Sequence, residues 1–298
     1  MIVTVTVNPM AEHLFSVPHF EAPGDFRATE KARLIPTGKP LNVGRALHDL
    51  GEQVLNVVAL GGRTGREIEE LLEKERLPTR VVSLRRESRR GFTVFDEQGR
   101  TTTVYGPPPK LEDAEVEAIV AAVRSLMPIG KLVLGGSTSR LDLYPRLCEL
   151  GVPVVLDCRG PALIDSLKAS RDVLLAKPNL KEVRSTFGVH TAQEGLQALI
   201  DAGARSAVVT DEGRDAWFRV CGRTFRARPP AVDVVHSVGC GDAVAAGLLK
   251  KMGRPAREMV AFAMACGAHA AGRADVASLN LTDCEELARE IEVQEVSG

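Results

Sequence analysis

Short apolar runs alternate along the chain with segments in which apolar residues recur every three or four positions. The apolar runs predict β-strands at 2–7, 53–60, 131–136, 153–158 and 206–210. The helical spacing predicts α-helices at 41–51, 66–75, 112–127, 141–151, 192–203, 242–252, 256–272 and 282–291. Uninterrupted apolar strands suit a sheet that is covered on both faces. The repeated βα units therefore predict an α/β fold with a doubly wound, mostly parallel sheet flanked by helices.

Two segments, at about 12–36 and 79–106, lack the helical period and contain alternating, strand-like pieces. The stretch from Asp96 to Gly99 has the composition of a hairpin turn. We expect both segments to form a small β-sheet lid, inserted into a single domain that spans 1–298. The tail after Glu290 is expected to fray.

Composition removes several classes of protein from consideration. The net charge is −1, so no overall field attracts nucleic acid or an anionic membrane. No apolar run reaches the 18 or so residues that a membrane span needs. The six cysteines form no CxxC pair, which argues against a zinc or redox motif. We expect a cytoplasmic protein that binds neither nucleic acid nor membrane.

The stretch around Gly239, Cys240, Gly241 and Asp242 carries candidate chemistry. Glycine permits unusual backbone angles, so three successive amides can converge on an anion at the start of a helix. Asp242 would then lie beside that anion and could accept a proton from a hydroxyl group. The alternative is that Asp242 serves only as the helix N-cap.

Asn179 and Glu182 form a second candidate site in KPNLKEV (177–183), directly after the strand-like VLLA. Three residues apart, they would share one side of a helix that begins there. Their oxygens suit a hydrated Mg²⁺ ion. The alternative is a capping box, with Asn179 as N-cap and Glu182 at the third helical position.

Three further stretches could hold anions or nucleotides. Gly38 and Lys39 precede a helix that Asn42 opens, and they form either an anion site or a turn with a solvated lysine. The arginines of 85–90 form either a solvated loop or a phosphate grip. The strand, glycine turn and helix at 59–71 are typical of dinucleotide sites. However, GGxxG differs from GxGxxG, so an NADP enzyme is a weaker alternative.

Several motifs occur in one order over nearly the whole chain. They are NPxx-acid from Asn8, GK then N at 38–42, GG at 61–62, GS at 136–137, KPNxxE at 177–182 and GxGD at 239–242. In this order they resemble the PfkB family of ribokinase-like sugar kinases. The resemblance is closest to the branch of 1-phosphofructokinase and tagatose-6-phosphate kinase.

The resemblance implies roles on the phosphoryl-transfer side. Asp242 matches the catalytic base, and Gly239, Cys240 and Gly241 match the anion hole for the transferred phosphoryl group. Asn179 and Glu182 match the motif that places Mg²⁺. The residues implied to bind ATP are Lys177, Asn179, Thr210, Glu212, Gly213 and His269, with adenine between 210–213 and 265–269.

The resemblance also implies an acceptor side. Arg89 matches a lid arginine that grips a phosphate already on the substrate, and the lid often helps to form a homodimer. The residues implied to bind the acceptor are Glu12, Gly38, Lys39, Asn42, Arg89 and Ser137.

Three positions depart from the family pattern, and all lie on the acceptor side. Glu12 stands where aspartate is usual, Pro40 interrupts a glycine-rich loop, and Gly91 replaces a common asparagine. The phosphoryl-transfer motifs are intact, so kinase chemistry is better supported than the identity of the sugar.

The sequence predicts a phosphotransferase that uses ATP and Mg²⁺ to phosphorylate a hydroxyl of a sugar or sugar phosphate. One alternative is a kinase for a nonphosphorylated sugar or a nucleoside. The other is a catalytically weak protein that binds a sugar or nucleotide on the same scaffold.

Overall fold

The computed structural model describes residues 1–296, which form fourteen strands and ten helices. The strands are β1 (Ile2–Thr6), β2 (Met10–Val17), β3 (Arg33–Thr37), β4 (Val54–Gly61), β5 (Thr79–Leu84), β6 (Arg89–Asp96), β7 (Thr101–Tyr105), β8 (Lys131–Gly135), β9 (Val154–Asp157), β10 (Val173–Ala176), β11 (Ala207–Val209), β12 (Ala216–Val220), β13 (Arg223–Ala227) and β14 (Val293–Val296). The helices are α1 (Lys39–Asp49), α2 (Gly62–Lys74), α3 (Asp113–Arg124), α4 (Leu143–Cys148), α5 (Pro161–Ala169), α6 (Leu180–Phe187), α7 (Ala192–Asp201), α8 (Cys240–Lys250), α9 (Ala256–Ala271) and α10 (Leu281–Ala288).

Ten strands form one large sheet in the order β5-β4-β1-β8-β9-β10-β11-β12-β13-β14. Neighbours from β5 to β11 are parallel, and the last three strands are antiparallel additions. The doubly wound, mostly parallel sheet that the sequence predicts is confirmed. The strand order reverses next to β1, and open α/β sheets bind ligands at such a switch point, outside the carboxyl ends of the strands.

Helices cover both faces of the large sheet, and apolar side chains fill the two interfaces. One core cluster lies under α1, α8 and α9, and the other lies under α3, α4, α5 and α7. Close packing of α8 on α9 depends on Gly247, since a Cβ there would stand 2.8 Å from the Cα of Ala263. This packing holds the first turn of α8 at the carboxyl edge of the sheet.

A separate four-stranded sheet has the order β3-β2-β6-β7 and corresponds to the predicted lid. Its β6–β7 hairpin turns where the sequence predicts, with the Gly99 amide donating to the Asp96 carbonyl at 2.9 Å. The lid boundary at residue 79 is wrong. Strand β5 (Thr79–Leu84) pairs with β4 in the large sheet, so the second lid segment begins with β6.

Other elements also differ from the sequence expectation. Helix α5 and the β12–β13 hairpin were not predicted. The tail does not simply fray after Glu290, because Val293–Val296 pairs with β13 at the edge of the large sheet; the last two residues of the chain lie outside the described part. Within residues 1–296, no helix combines the length and apolar composition that crossing a bilayer requires.

Candidate active site

Asp242 lies in the first turn of α8, at the carboxyl edge of the sheet. The N-cap of this helix is Gly239, which has a left-handed backbone (φ 80°), and the helix has no side-chain cap. A side chain at Gly239 would press on Val276, since a Cβ would stand 2.8 Å from its Cγ1. The alternative that Asp242 is the N-cap is therefore wrong. Its Oδ2 instead accepts a hydrogen bond from Nδ2 of Asn42 at 2.7 Å.

The Asp242 carboxyl is only 6% exposed. Burial raises its pKa to about 7, and the nearby Asp157 carboxylate adds to the rise. Lys177, Lys39 and the hydrogen bond from Asn42 oppose it. A carboxyl group with a pKa near neutrality can both accept and release a proton under physiological conditions.

Asp157 connects two lysines behind this carboxyl group. Its Oδ1 lies 2.7 Å from the Lys39 ammonium and its Oδ2 lies 2.9 Å from that of Lys177. Burial alone would raise the pKa of Asp157, but Lys177 and Lys39 outweigh it and lower that pKa. Lys39 also contacts Glu182 at 2.6 Å, and both carboxylates raise the lysine's pKa despite burial.

Sequence reasoning missed Asp157. It is the last residue of β9, in the predicted strand PVVLDC. A carboxylate at the carboxyl end of a buried parallel strand was the available signal, because ligand sites form at that edge. Lys177, expected on the nucleotide side, follows β10 at the same edge and is 3% exposed.

Asn179 and Glu182 form the capping box that was weighed against a metal site. The Glu182 amide donates to Asn179 Oδ1 at 2.9 Å, and the Asn179 amide donates to Glu182 Oε2 at 3.0 Å. The other oxygen of Glu182 faces Lys39. The capping-box interpretation is confirmed, and one carboxylate oxygen remains directed toward the charged cluster.

Helix α1 begins three residues earlier than Asn42. Gly38 is its N-cap, and Pro40 lies in its first turn, where no helical hydrogen bond needs the missing N–H. Gly38 fits closely, since a Cβ there would stand 2.6 Å from Cγ2 of Thr6. This early start brings Lys39 to Asp157 and turns Asn42 toward Asp242.

The acceptor-side residues lie in two places. Glu12 is 3% exposed inside the lid sheet, where its carboxylate accepts hydrogen bonds from the hydroxyls of Thr37 at 2.7 Å and of Thr93. Ser137, just beyond β8, accepts a hydrogen bond from Nδ2 of Asn8 at 2.8 Å. Glu12 is thus already bonded to two lid hydroxyls.

Arg89 opens strand β6, and its guanidinium lies 5.4 Å from the centre of the Tyr105 ring. Burial lowers its pKa, while Tyr105 and Glu12 oppose that effect. Its buried Nε has no hydrogen-bond partner. Steric crowding explains the glycine at position 91, because a Cβ there would stand 2.8 Å from the backbone oxygen of Val104 and 2.3 Å from Sδ of Met10.

The nucleotide-side residues divide between two regions. The Thr210 carbonyl accepts a hydrogen bond from the Leu180 amide at 2.9 Å, which places Thr210 beside the start of α6. Glu212 and Gly213 lie in the turn that follows Thr210. His269 lies 3.3 Å from Asp283 and lines a cavity of about 460 Å³. The cavity is lined by Val232, Asp233, Ala268, His269, Gly272, Arg273, Asp283, Glu286, Leu287 and Glu290. Residues 210–213 are not part of that lining.

Replacing Asp157 with asparagine should destabilise the fold strongly. The variant Asp157→Asn leaves the buried Lys177 ammonium without its counter-ion, which costs about 3–5 kcal/mol in the free energy of unfolding. Since the pKa of Asp157 is lowered, its contribution is complete above about pH 4 and is lost as the pH falls through the lower, folded-state value. Urea denaturation at pH 7 and at acidic pH measures both effects.

Asp113→Asn is the matched control, because the Asp113 side chain is 91% exposed beside Arg140. We expect it to lose no more than about 1 kcal/mol. Equal losses in the two variants would contradict the importance of the buried cluster.

Comparisons with known proteins give the same family that the sequence motifs predict. The model of the pfkB family carbohydrate kinases matches residues 15–283. A 1-phosphofructokinase of Bacillus subtilis (strain 168) is 31% identical over 263 residues, covering 84% of each chain.

Two solved structures share the fold. A possible 1-phosphofructokinase of Thermotoga maritima has a TM-score of 0.88 at 22% identity, over 99% of each chain. Phosphofructokinase-2 of Escherichia coli, in complex with fructose-6-phosphate, has a TM-score of 0.83 at 23% identity, over 97% of this chain and 98% of that one. With its ribokinase-like architecture and a family match over most of its length, this chain belongs to the pfkB family of carbohydrate kinases.

Proposed function

We propose that the protein transfers the terminal phosphoryl group of ATP, with Mg²⁺, to a hydroxyl of a sugar phosphate. The observation that carries the proposal is the buried Asp242, with a pKa of about 7, in the first turn of α8 beside a glycine loop. The similarity of the chain to 1-phosphofructokinase of Bacillus subtilis supports a phosphorylated acceptor.

The six cysteines are free thiols, which supports a reducing, cytoplasmic setting.

The residues around the α8 N-terminus fit a phosphate group. A Cβ at Gly241 would stand 3.4 Å from the Lys177 ammonium, so this glycine lies directly beside a buried cation. The amides of the first helical turn have no intrahelical partners and carry partial positive charge. Gly239, Cys240 and Gly241 would hold the phosphoryl oxygens, with Lys177 opposite them.

The cavity beside His269 supports adenosine binding at the other end of the nucleotide. It lies along α9, and Gly267 of that helix approaches the Cys240 carbonyl, since a Cβ there would stand 3.4 Å from its oxygen. The glycine loop therefore adjoins the same helix as the cavity. We propose that adenine and ribose lie there, while Thr210, Glu212 and Gly213 border the phosphates near Asn179.

The donor set around Lys39 also fits Mg²⁺. Glu182 and Asp157 already hold a cation between them, with the Lys39 ammonium 2.6 and 2.7 Å away. Mg²⁺ is usually held by one or two carboxylates together with phosphate oxygens and waters. We propose that Glu182 and Asp157 hold it, with Asn179 fixing Glu182 through the capping box. When bound, the metal would neutralise charge on the phosphate oxygens.

Catalysis by the chain's own groups follows from the position of Asp242. The Asn42 amide holds Oδ2, which leaves Oδ1 to accept the proton of the attacking hydroxyl. The amides of 239–241 and Lys177 offset the charge on the phosphoryl oxygens. The lid sheet would cover the acceptor and exclude water, which could otherwise take the phosphoryl group.

Arg89 is the proposed contact for the phosphate already present on the acceptor. Its half-buried guanidinium has an unpaired Nε, whereas the neighbouring Arg90 pairs with Glu67 at 2.5 Å. A planar guanidinium binds phosphate well through two parallel hydrogen bonds. Glu12 lies in β2 of the lid, Gly38 precedes α1 and Ser137 follows β8. The sugar would lie between the lid and the sheet, near these three residues.

Asp242→Asn should reduce kcat by about 10²–10⁴, because the amide cannot accept the hydroxyl proton. In the wild-type protein kcat/KM should fall below about pH 7, since protonation of Asp242 removes the base. Steady-state assays with a panel of sugars, sugar phosphates and nucleosides measure both effects. Asp113→Asn should keep the wild-type rate and pH profile, and an Asp242→Asn variant that does the same would refute the proposal.

Arg89→Met should raise KM for the sugar phosphate by roughly 10- to 100-fold, through loss of charge-assisted hydrogen bonds. KM for ATP should stay unchanged. Arg90→Met is the matched control, since adjacent strand residues point to opposite faces. An unchanged KM in Arg89→Met would instead indicate a nonphosphorylated acceptor, such as a free sugar or nucleoside.

We also propose that the lid joins two copies of the chain into a homodimer. Strand β7 is an edge strand of the lid, and large apolar side chains lie exposed beside that edge: Phe92 is 41%, Val104 is 49% and Tyr105 is 62% exposed. Such patches usually mark interaction sites. A tetrameric form of phosphofructokinase-2 from Escherichia coli is similar in fold, with a TM-score of 0.83.

Val104→Asp should convert the homodimer into monomers, because it places a charge in the apolar interface. Light scattering coupled to size-exclusion chromatography measures the mass directly. Leu141→Asp is the control, since Leu141 is similarly exposed, at 51%, but lies outside the lid. A monomeric wild-type protein, or an unchanged mass in Val104→Asp, would rule out the lid interface.

A further inference from the structure

Arg45 is a buried cation that the proposed mechanism does not use. It lies on α1, one turn after Asn42, and is 8% exposed. Its Nε and Nη2 donate to the Glu75 carboxylate at 2.9 and 3.3 Å. Glu75 balances the charge of Arg45, so the other hydrogen bonds of the guanidinium can hold neighbouring neutral groups.

Those remaining contacts reach three parts of the active site. Nη1 donates to the side-chain oxygen of Asn42 at 3.1 Å. Nη2 donates to the Pro36 carbonyl, on lid strand β3, at 2.8 Å. Nη1 also lies 3.5 Å from the Val276 carbonyl, in the segment that packs against Gly239. One side chain therefore contacts the partner of the base, the lid and the segment behind the glycine loop.

We infer that Arg45 is a positioning residue that sets the orientation of the Asn42 amide and, through it, of the catalytic Asp242 carboxylate. The two ends of an asparagine amide are nearly equal in size, so shape alone does not choose between them. A guanidinium can only donate hydrogen bonds, so it holds the oxygen end of the amide. The NH₂ end must then face Asp242, where it donates at 2.7 Å.

The reversed amide would be unfavourable at both ends. Its oxygen would face the Asp242 carboxylate, and its NH₂ group would face the guanidinium of Arg45, with no hydrogen bond to either. Without Arg45 the reversed orientation is unfavourable only at the Asp242 end, so the Asn42 amide holds Oδ2 of Asp242 less firmly. Small displacements of a reacting group, caused by changes outside the chemistry itself, can reduce the rate by about 100-fold.

The inference rests on the proposed kinase activity, and a double-mutant cycle tests it. Arg45→Met, Asn42→Ala and the combined variant are compared with MgATP and fructose 1-phosphate, or with the best acceptor from the panel above. We expect Arg45→Met to reduce kcat by about 10- to 100-fold. Because Arg45 acts through Asn42, its replacement should cause little further loss when Asn42 is already alanine.

The pH profile separates positioning from a general structural role. A weaker hydrogen bond to the Asp242 carboxylate should move the acid limb of kcat/KM to higher pH, in Arg45→Met as in Asn42→Ala. Glu75→Gln is the control, since it removes the counter-ion but leaves the Arg45–Asn42 contact. It should lower the unfolding midpoint without moving the acid limb.

Additive losses in the cycle, or an acid limb that moves equally in Glu75→Gln, would overturn the positioning role. If Arg45→Met does not fold, as judged by circular dichroism, Arg45→Lys takes its place. An ammonium has three donors on one nitrogen, so it cannot replace the contacts of the guanidinium with the oxygens of Glu75, Asn42, Pro36 and Val276 together. An active Asp242→Asn variant would refute the kinase mechanism itself. An inactive Asp242→Asn beside a fully active Arg45 variant would refute only the inference about Arg45.

Discussion

A buried carboxylate that remains able to ionise is the constraint around which this protein is organised. Burial alone would leave Asp242 protonated, and the neighbouring Asp157 increases that tendency. Lys177, Lys39 and the hydrogen bond from the Asn42 amide favour the ionised form, so the pKa of Asp242 is about 7. A solvated carboxylate would be a weaker base, and an uncompensated one would stay neutral. The charged cluster is therefore what keeps the Asp242 carboxyl able to take up and release a proton near neutral pH.

The large sheet explains how these groups meet. Asp157 ends β9 and Lys177 follows the adjacent parallel strand β10, so both lie at the carboxyl edge. Helices α1 and α8 begin at the same edge and pack against each other under one face of the sheet. As a result Asn42 and Asp242, which are 200 positions apart in sequence, form a direct hydrogen bond.

The lid differs from the sheet in how its polar groups are satisfied. Glu12 is buried with two threonine hydroxyls, which gives its carboxylate a structural role within the lid. Arg89, on the adjacent strand, keeps an unpaired donor. The departures from the family pattern also have local causes. Gly91 leaves room for the Val104 carbonyl, and Pro40 occupies a first helical turn that does not need its N–H.

The sequence alone determined the α/β class, most of the elements and the position of the glycine loop before α8. These features depend on local periodicity and on motifs of four to six residues, which are visible without any partner. It could not assign β5 to the large sheet or pair β14 with β13, because alternation shows that a segment is a strand but not which neighbour it joins. Only the tertiary structure revealed Asp157 between two lysines and Arg45 behind Asn42. Contacts of this kind join distant parts of the chain, and their energies depend on burial, which exists only after the fold has formed.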